Sequence, residues 1–144
     1  MIKPQELRIG SNVNTELGIA EVIGIYEDVV DVKGVSVIDN SSGNKISIST
    51  RSFDGCVEYE KIQPIPLTEE ILLKFGFYFE EGFYCLRINN TAFMTIILHG
   101  SYVNYELSNF RQKIVFSSGE FSGVHQLQNL YFHLKGEELA FKKD

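Results

Sequence analysis

The fold of this chain is decided by Val124-His125-Gln126-Leu127-Gln128-Asn129-Leu130-Tyr131-Phe132-His133-Leu134-Lys135-Gly136. At about 100° per residue, this segment has the periodicity of an amphipathic helix. Ser122 or Gly123 can cap its start, and Gly136 is the residue type that most often ends a helix. We therefore predict a helix over residues 124–135 that packs on a sheet. Its apolar face consists of Val124, Leu127, Leu130, Tyr131 and Leu134.

The opposite face of this helix needs an explanation of its own. His125, Asn129 and His133 are spaced four residues apart, so they form one ladder, and Phe132 lies beside them. A phenylalanine is unusual on a face that meets only water. One hypothesis makes these four residues a polar and aromatic site that hydrogen-bonds a ligand. The other packs this face against a second layer, with the histidines bonded to backbone groups.

We predict a strand-rich region over residues 1–63, and this region needs a helix to cover it. Ile19–Tyr26 is apolar and β-branched, and Lys45–Ser49 alternates with period two, as a half-buried strand does. Cys56–Ile62 is a further candidate strand, and a dense turn signal occupies residues 39–44. About five or six short strands at this spacing favour a small antiparallel, SH3-like barrel. A flat sheet against the C-terminal helix is the competing prediction.

Two prolines mark a boundary after this region. Pro64 and Pro66 cannot lie in a central strand, and each one favours extended geometry in the residue before it. This stretch is a stiff connector rather than a flexible linker. We therefore predict a barrel-like subdomain over residues 1–63 and an α+β subdomain over residues 64–144.

The second subdomain begins with a short helix. Thr68 is a candidate N-cap, acidic residues follow it, and the pattern predicts a helix over about residues 69–75. Antiparallel strands are expected over about residues 77–116, with a hairpin turn at Glu81-Gly82. Ala92–Leu98 is nearly continuously apolar, which is typical of a central strand buried on both faces. Ser117-Ser118-Gly119 is expected to turn towards the C-terminal helix, and the whole chain is assigned to the α+β class.

Composition narrows the range of functions. The chain has 19 acidic and 13 basic residues and a net charge of -6, which argues against non-specific binding to nucleic acids or anionic membranes. Its 7 Tyr and 11 Phe favour strands and surface contacts. The longest apolar run, near Phe93–Leu98, is too short to span a bilayer, and Met1–Glu6 has no apolar signal-peptide core. We expect a soluble, cytoplasmic protein.

Catalytic and metal-binding patterns are weak. His99, His125 and His133 lack the spacing of a zinc motif, and His125 and His133 lie about two helical turns apart. Cys56 and Cys85 lie in no local signature of a nucleophile. Paired glutamates are better explained by a helix start, a turn and solvation than by acid–base catalysis. We predict no catalytic residue, no metal site, no cofactor and no enzymatic activity.

Three segments of the chain carry a resemblance. They are residues 6–13 (Glu-Leu-Arg-Ile-Gly-Ser-Asn-Val), residues 62–77 (Ile-Gln-Pro-Ile-Pro-Leu-Thr-Glu-Glu-Ile-Leu-Leu-Lys-Phe-Gly-Phe) and residues 124–139, which contain the C-terminal helix. In order and spacing they resemble an uncharacterised family of small proteins of phages, prophages and mobile elements of Bacteroides-type gut bacteria. Lys135 stands where that family is expected to have Thr. The resemblance implies a mobile-element context inside a host cell, and no catalytic or binding residues.

Three functional hypotheses follow. The first is a non-enzymatic binding protein of phage or prophage origin that acts on a protein partner, with a homo-oligomer as a further expectation. The alternative is a counter-defence sponge that sequesters a small nucleotide-derived signal. In it aromatic rings would stack a base, and Arg87, Lys113, Asn129 and His125 would hold its polar groups. The third is a weak nucleic-acid-binding barrel with Tyr26, Phe53 and Tyr59 as stacking residues. The candidate ligand-binding or interface residues are His125, Asn129, Phe132, His133, Arg87 and Lys113.

Overall fold

The computed structural model describes residues 2, 4–16, 18–27, 29–40, 45–100, 102–109 and 114–141, with the backbone alone for residues 4, 35–40 and 45–54. Two antiparallel sheets and two α-helices make up the described chain. The α+β class is therefore confirmed. No described helix has the length and apolarity that crossing a bilayer requires.

The first sheet is an open four-stranded meander. Its strands, in spatial order, are β1 (Asn12–Thr15), β2 (Gly18–Ile25), β3 (Val29–Asn40) and β4 (Lys45–Glu58). The predicted SH3-like barrel is not confirmed, because β1 and β4 form the two edges and do not pair. The outer edge of β1 is already used, since Asn14 and Gln63 exchange two backbone hydrogen bonds of 2.9 Å.

β3 and β4 are longer than the short strands that were predicted, and the predicted strand Lys45–Ser49 is one end of β4. β3 pairs with β4 from Val29 to Asn40, and the register shifts between Lys33 and Val35. The predicted strand Cys56–Ile62 divides in the structure: its first residues end β4, and a 3-10 turn follows at Tyr59–Lys61. The hairpin of β3 and β4 is much longer than the four-residue β1. Such unequal strand lengths are unlike those of a small closed barrel. The predicted turn at residues 39–44 falls partly on residues 41–44, outside the described residues.

The second half follows the predicted order of elements. Helix α1 (Glu69–Lys74) is capped by Thr68, whose Oγ1 accepts a hydrogen bond of 3.4 Å from the N–H of Ile71. A five-stranded antiparallel meander comes next. Its strands are β5 (Tyr78–Glu80), β6 (Phe83–Arg87), β7 (Ala92–Leu98), β8 (Val103–Asn109) and β9 (Val115–Phe121).

The predicted hairpin turn at Glu81-Gly82 is confirmed. Glu80 pairs with Phe83 across it, and the two residues between them have φ angles of 51° and 90°. Positive φ at both central positions defines the type I′ turn, whose twist matches that of the flanking strands. The expected turn at residues 117–119 is wrong, because β9 continues through these residues to Phe121.

Helix α2 (Val124–Lys135) has the predicted bounds. Gly123 is its N-cap, and the side chain of Gln126 accepts a hydrogen bond of 2.7 Å from the N–H of Ser122. Gly136 ends the helix at a φ of 72°, and its N–H donates to the carbonyl of Phe132 at 2.8 Å. Such a left-handed cap suits glycine because it has no Cβ to clash with the backbone.

Two apolar cores lie in the described chain. The core of the second half includes Met94 and Ile96 from β7, Leu72 from α1, and Val124 and Leu127 from α2. The prediction that β7 is buried on both faces is wrong, because only alternate residues of this strand are fully buried. The core of the first half consists of Ile2, Leu7, Val13, Ala20, Val22, Val30, Val32, Tyr59 and Ile62. The boundary at residues 63 and 64 separates the members of the two cores along the chain; independent folding of the two parts stays a prediction.

Candidate functional site

The second face of α2 packs on residues 6–12. Gln128 is buried, and its Oε1 accepts a hydrogen bond of 2.8 Å from the N–H of Asn12. Its amide nitrogen lies within bonding distance of the carbonyls of Gly10 and Leu139. Asn129 donates to the carbonyl of Glu6 at 2.7 Å. Of the two hypotheses for this face, these contacts support the second packing layer.

Arg8 occupies the centre of this layer. Its guanidinium carbon lies 4.2 Å from the ring centroid of Phe132, which is a cation–π geometry. The same group forms an ion pair with Glu138, and its Nε donates to the side-chain oxygen of Asn129 at 3.3 Å. Asn129 and Phe132 are therefore brought together with Arg8, whereas His133 is exposed on the same helix.

His125 is buried in the same region, with an exposed fraction of 1%. Neither of its ring nitrogens has a hydrogen-bond partner among the described residues. Burial lowers the pKa of His125 from its ordinary value, and the carboxylate of Glu6 opposes this change. The imidazole is therefore neutral at neutral pH, and the expected bonds from histidines to backbone groups are not formed here. A ligand-binding role for the face stays a prediction.

The other two predicted site residues lie elsewhere. Arg87 is on β6, where its guanidinium donates to the carbonyl of Asn89 and to the side chain of Asn90, both at 3.2 Å. It lies at the end of β6 in the second sheet and not on the polar face of α2. Lys113 lies outside the described residues.

The cysteines lack an activated thiol. The Sγ of Cys56 donates to the carboxylate of Asp31 at 2.7 Å, and this bond, ahead of burial and charge, raises the pKa of the Cys56 thiol. Burial raises the pKa of Cys85. Both thiols are therefore protonated at neutral pH, whereas nucleophilic catalysis uses the thiolate. In the described part of the chain, no cluster of three His, Cys, Asp or Glu side chains is arranged to hold a metal ion.

The second sheet has one face outside both cores, here called the open face. Directly paired residues share a face, so the pairs Tyr78–Cys85, Cys85–Thr95 and Thr95–Glu106 form one row across four strands. These residues alternate with the core residues Met94 and Ile96. The open face consists of Tyr78, Glu80, Phe83, Cys85, Arg87, Phe93, Thr95, Ile97, Asn104, Glu106, Ser108, Ser118 and Glu120.

The open face carries three aromatic and three acidic side chains among its thirteen residues. Tyr78 and Phe83 lie on adjacent strands, with exposed fractions of 49% and 40%. Burial and then the charges of Cys85 and Glu80 raise the pKa of Tyr78, which places Glu80 close to the aromatic rings. Its charged residues are the three acids Glu80, Glu106 and Glu120 and the cation Arg87. Sequence reasoning missed this surface because β6 and β7 are apolar at consecutive positions, which hides the alternation.

A separate open groove of about 420 Å³ lies near the start of α2. The rings of His99 and Tyr102 stack on its wall with a centroid separation of 4.2 Å. Leu67 and Phe121 provide apolar lining, and Glu120 is the one Asp, Glu, Lys or Arg among the described residues that line it. No Lys or Arg of the described chain lines the groove.

Comparison of the chain with protein-family models, with curated proteins and with solved structures gives no match.

Proposed function

We propose that this chain is a non-enzymatic binding protein that recognises a protein partner through the open face of the second sheet. The observation that carries the proposal is the pair of exposed aromatic residues Tyr78 and Phe83 on adjacent strands, with the partly buried Phe93 and Ile97 on the same face, outside both apolar cores. Aromatic residues are enriched in protein interfaces, since each one buries a large area with little loss of rotamer entropy.

The charges of the open face define the chemistry of the partner. Glu80 pairs directly with Phe83, Glu106 and Glu120 lie further along the open face on β8 and β9, and Arg87 already bonds to its own turn. A partner with apolar side chains and Lys or Arg at the rim would complement this surface, and the charge would speed its encounter. The protonated cysteines support binding rather than covalent catalysis.

We extend the proposal to a phage or prophage protein that acts on a protein of its host in the host cytoplasm. Its support is the resemblance of residues 6–13, 62–77 and 124–139 to proteins of mobile elements. Counter-defence is one role that suits a small acidic binding protein in that setting.

The nucleotide-derived sponge is our second candidate, and it has one specific observation in its favour. The stacked rings of His99 and Tyr102 beside the groove offer a surface for a base. Glu120 in the same groove opposes a phosphate, and none of Arg87, Asn129 and His125 lines it. A thermal-shift screen with cyclic nucleotides and ADP-ribose derivatives tests this candidate, and unchanged melting temperatures with all of them would exclude it. The third hypothesis, a weak nucleic-acid-binding protein, required a closed barrel and is not proposed.

The main proposal is tested by affinity capture from a Bacteroides-type lysate with matched bait variants. The site variant replaces Tyr78 and Phe83 by Ser. The control variant replaces Tyr26 and Ile23 by Ser, because these residues are exposed to similar fractions of 56% and 46% on the first sheet. We expect one protein to be captured by wild type and control and lost with the site variant, at equal thermal stability of all three. Equal capture by both variants, or no capture above empty resin, would contradict the proposal.

A further inference from the structure

The groove near the start of α2 and the open face share one residue, Glu120. Cross-strand pairs place it at the end of a row, because Ile97 pairs with Asn104 and Asn104 pairs with Glu120. The register between β6 and β7 puts Phe83 opposite Ile97, towards the other end of this row. Phe83 and Glu120 are therefore three strand spacings apart, about 14 Å. The groove thus continues the surface to which partner binding is assigned.

This end of the row presents a negative charge and a free acceptor. Glu120 supplies the carboxylate of the groove. At the neighbouring position, the side-chain oxygen of Asn104 is buried and has no hydrogen-bond partner among the described residues. A buried acceptor without a partner carries its full desolvation cost, and a donor that enters beside it removes this cost. A carboxylate next to such an oxygen favours a cation that carries several N–H donors.

The start of α2 also lines the groove, and two of its N–H groups are already bonded. The N–H of Ser122 donates to the side-chain oxygen of Gln126 at 2.7 Å, and that of Val124 donates to the carbonyl of Ile65 at 2.9 Å. A helix N-terminus holds an anion through amides of this kind. Because these amides have partners and Glu120 repels an anion, the charge pattern favours a cation over a phosphate.

The walls of the groove match the shape of a guanidinium group. The N–H of His99 donates to the carbonyl of Tyr102 at 3.0 Å, and this turn holds the two rings in their stack. Tyr102 keeps 46% of its surface exposed, so a planar cation can lie against it. Leu67 and Phe121 offer apolar surface to a methylene stem. Lysine has a stem and a charge, but it lacks the plane and the fork that pairs with a carboxylate.

We propose that the groove binds the side chain of an arginine of the protein partner. Its guanidinium stacks on Tyr102 and pairs with Glu120, and its stem lies on Leu67 and Phe121. The assignment to this partner rests on the proposed function. It is argued from continuity, since a standard interface buries about 800 Å² on each protein, which is enough to cover Phe83 and Glu120 together.

The test is a titration of the isotope-labelled full chain with two capped tripeptides, Gly-Arg-Gly and Gly-Lys-Gly, followed by nuclear magnetic resonance. We expect the arginine peptide to shift the amide resonances of residues 102–103 and 120–123 at millimolar concentration. It is expected to bind at least about tenfold more tightly than the lysine peptide.

Glu120→Gln is the site variant, because it removes the charge and keeps the shape. We expect it to weaken binding of the arginine peptide at least about tenfold. The control is Glu60→Gln, the same change at an exposed position outside both the groove and the open face. It is expected to bind the peptide as wild type does.

Equal binding of the two peptides, wild-type binding by Glu120→Gln, or an equal loss in the control would overturn the inference. Shifts with adenosine monophosphate but none with the arginine peptide would overturn it in favour of a nucleotide. None of these titrations uses the partner, so a failed capture from lysate contradicts the proposed function and leaves the arginine site standing. Conversely, partner capture that Glu120→Gln does not weaken would overturn the assignment of the arginine to that partner.

Discussion

The side-chain oxygen of Gln128 accepts a hydrogen bond of 2.8 Å from the backbone N–H of Asn12. The amide nitrogen of the same side chain bonds to the carbonyls of Gly10 and Leu139. One buried amide therefore joins α2 to the start of β1 and to the segment that follows the helix. Removal of this amide leaves buried backbone groups without partners, and such groups carry their full desolvation cost.

We expect Gln128→Met to lower the free energy of unfolding by about 1–3 kcal/mol, since it keeps the volume and removes three hydrogen bonds. The control is His133→Ala, an exposed position on the same helix, which is expected to stay within about 0.5 kcal/mol of wild type. Urea denaturation measures both values. Equal stability of Gln128→Met and wild type would show that the Gln128 bonds do not hold the layer.

The stability of the protein is expected to fall below pH 6.5 in part because of His125, whose pKa is lowered from 6.5 in the folded state. Below pH 6.5 the imidazole of His125 takes up a proton in the unfolded chain, whereas burial keeps it neutral in the folded protein. Acid therefore favours unfolding until the pH reaches the pKa of His125 in the folded state. The slope from this group is at most about 1.4 kcal/mol per pH unit. The carboxylate of Glu6 opposes the lowering of this pKa and so makes the pH dependence smaller.

The variant His125→Leu tests this pH dependence because it has no group to titrate. We expect its unfolding free energy to fall less steeply below pH 6.5 than that of wild type. Denaturant titrations at a series of pH values give the slopes. Identical slopes for wild type and His125→Leu would rule out the buried imidazole as the source.

Arg8→Lys is expected to lower the free energy of unfolding by about 1 kcal/mol, because an ammonium group cannot make the forked contact with Glu138 and lies differently over Phe132. Both ends of the ion pair are partly exposed, with side-chain fractions of 23% and 42%, which limits its contribution. A double-mutant cycle of Arg8→Gln, which removes the cation, with Phe132→Leu is expected to give a coupling energy of about 0.5–1 kcal/mol. Arg87→Lys is the control, and additive effects of Arg8 and Phe132 would exclude the cation–π contact.

Gly119→Ala is expected to cost about 1–3 kcal/mol by overpacking, because a Cβ at Gly119 would lie 2.9 Å from the ring of Tyr105. That ring stacks on Phe121 with a centroid separation of 4.4 Å, so it cannot move without losing the stack. Gly55→Ala in β4 is the matched control, since a Cβ there meets nothing within 4 Å. Thermal unfolding compares the two variants, and equal melting temperatures would contradict the packing of Tyr105 over Gly119.

Sequence patterns predicted the elements that local chemistry determines. The bounds of α2 follow from its periodicity and from Gly136. The hairpin at Glu81-Gly82 follows from a residue pair that accepts positive φ. The N-cap at Thr68 follows from its hydroxyl and the acidic residues after it. Each of these features depends on a few neighbours in the chain.

Long-range pairing was not predictable in the same way. Ser117-Ser118-Gly119 has turn chemistry, yet the ring of Tyr105 covers Gly119 from the neighbouring strand and keeps it in β9. The barrel prediction failed because the outer edge of β1 is paired with Gln63, a partner that no local pattern indicates.

The candidate site was predicted in part. The sequence isolated the second face of α2, and the structure places Asn129 and Phe132 against residues 6–12 and buries His125. Gln128 makes the most side-chain hydrogen bonds on that face. The helical periodicity of the sequence assigned it to neither face. The open face depends on strand register, which sets which alternate residues share a side, and single-sequence patterns do not supply that register.

The layer between α2 and residues 6–12 joins positions that lie 116 to 130 residues apart in the chain. Contacts between such distant positions form slowly because a long loop must close first. During synthesis on the ribosome, Arg8 and Asn12 therefore emerge long before Gln128 and Glu138 exist to meet them. The inner surface of residues 6–12 stays exposed until α2 has been made. Completion of this layer therefore waits for a helix that is made long after the segment it covers.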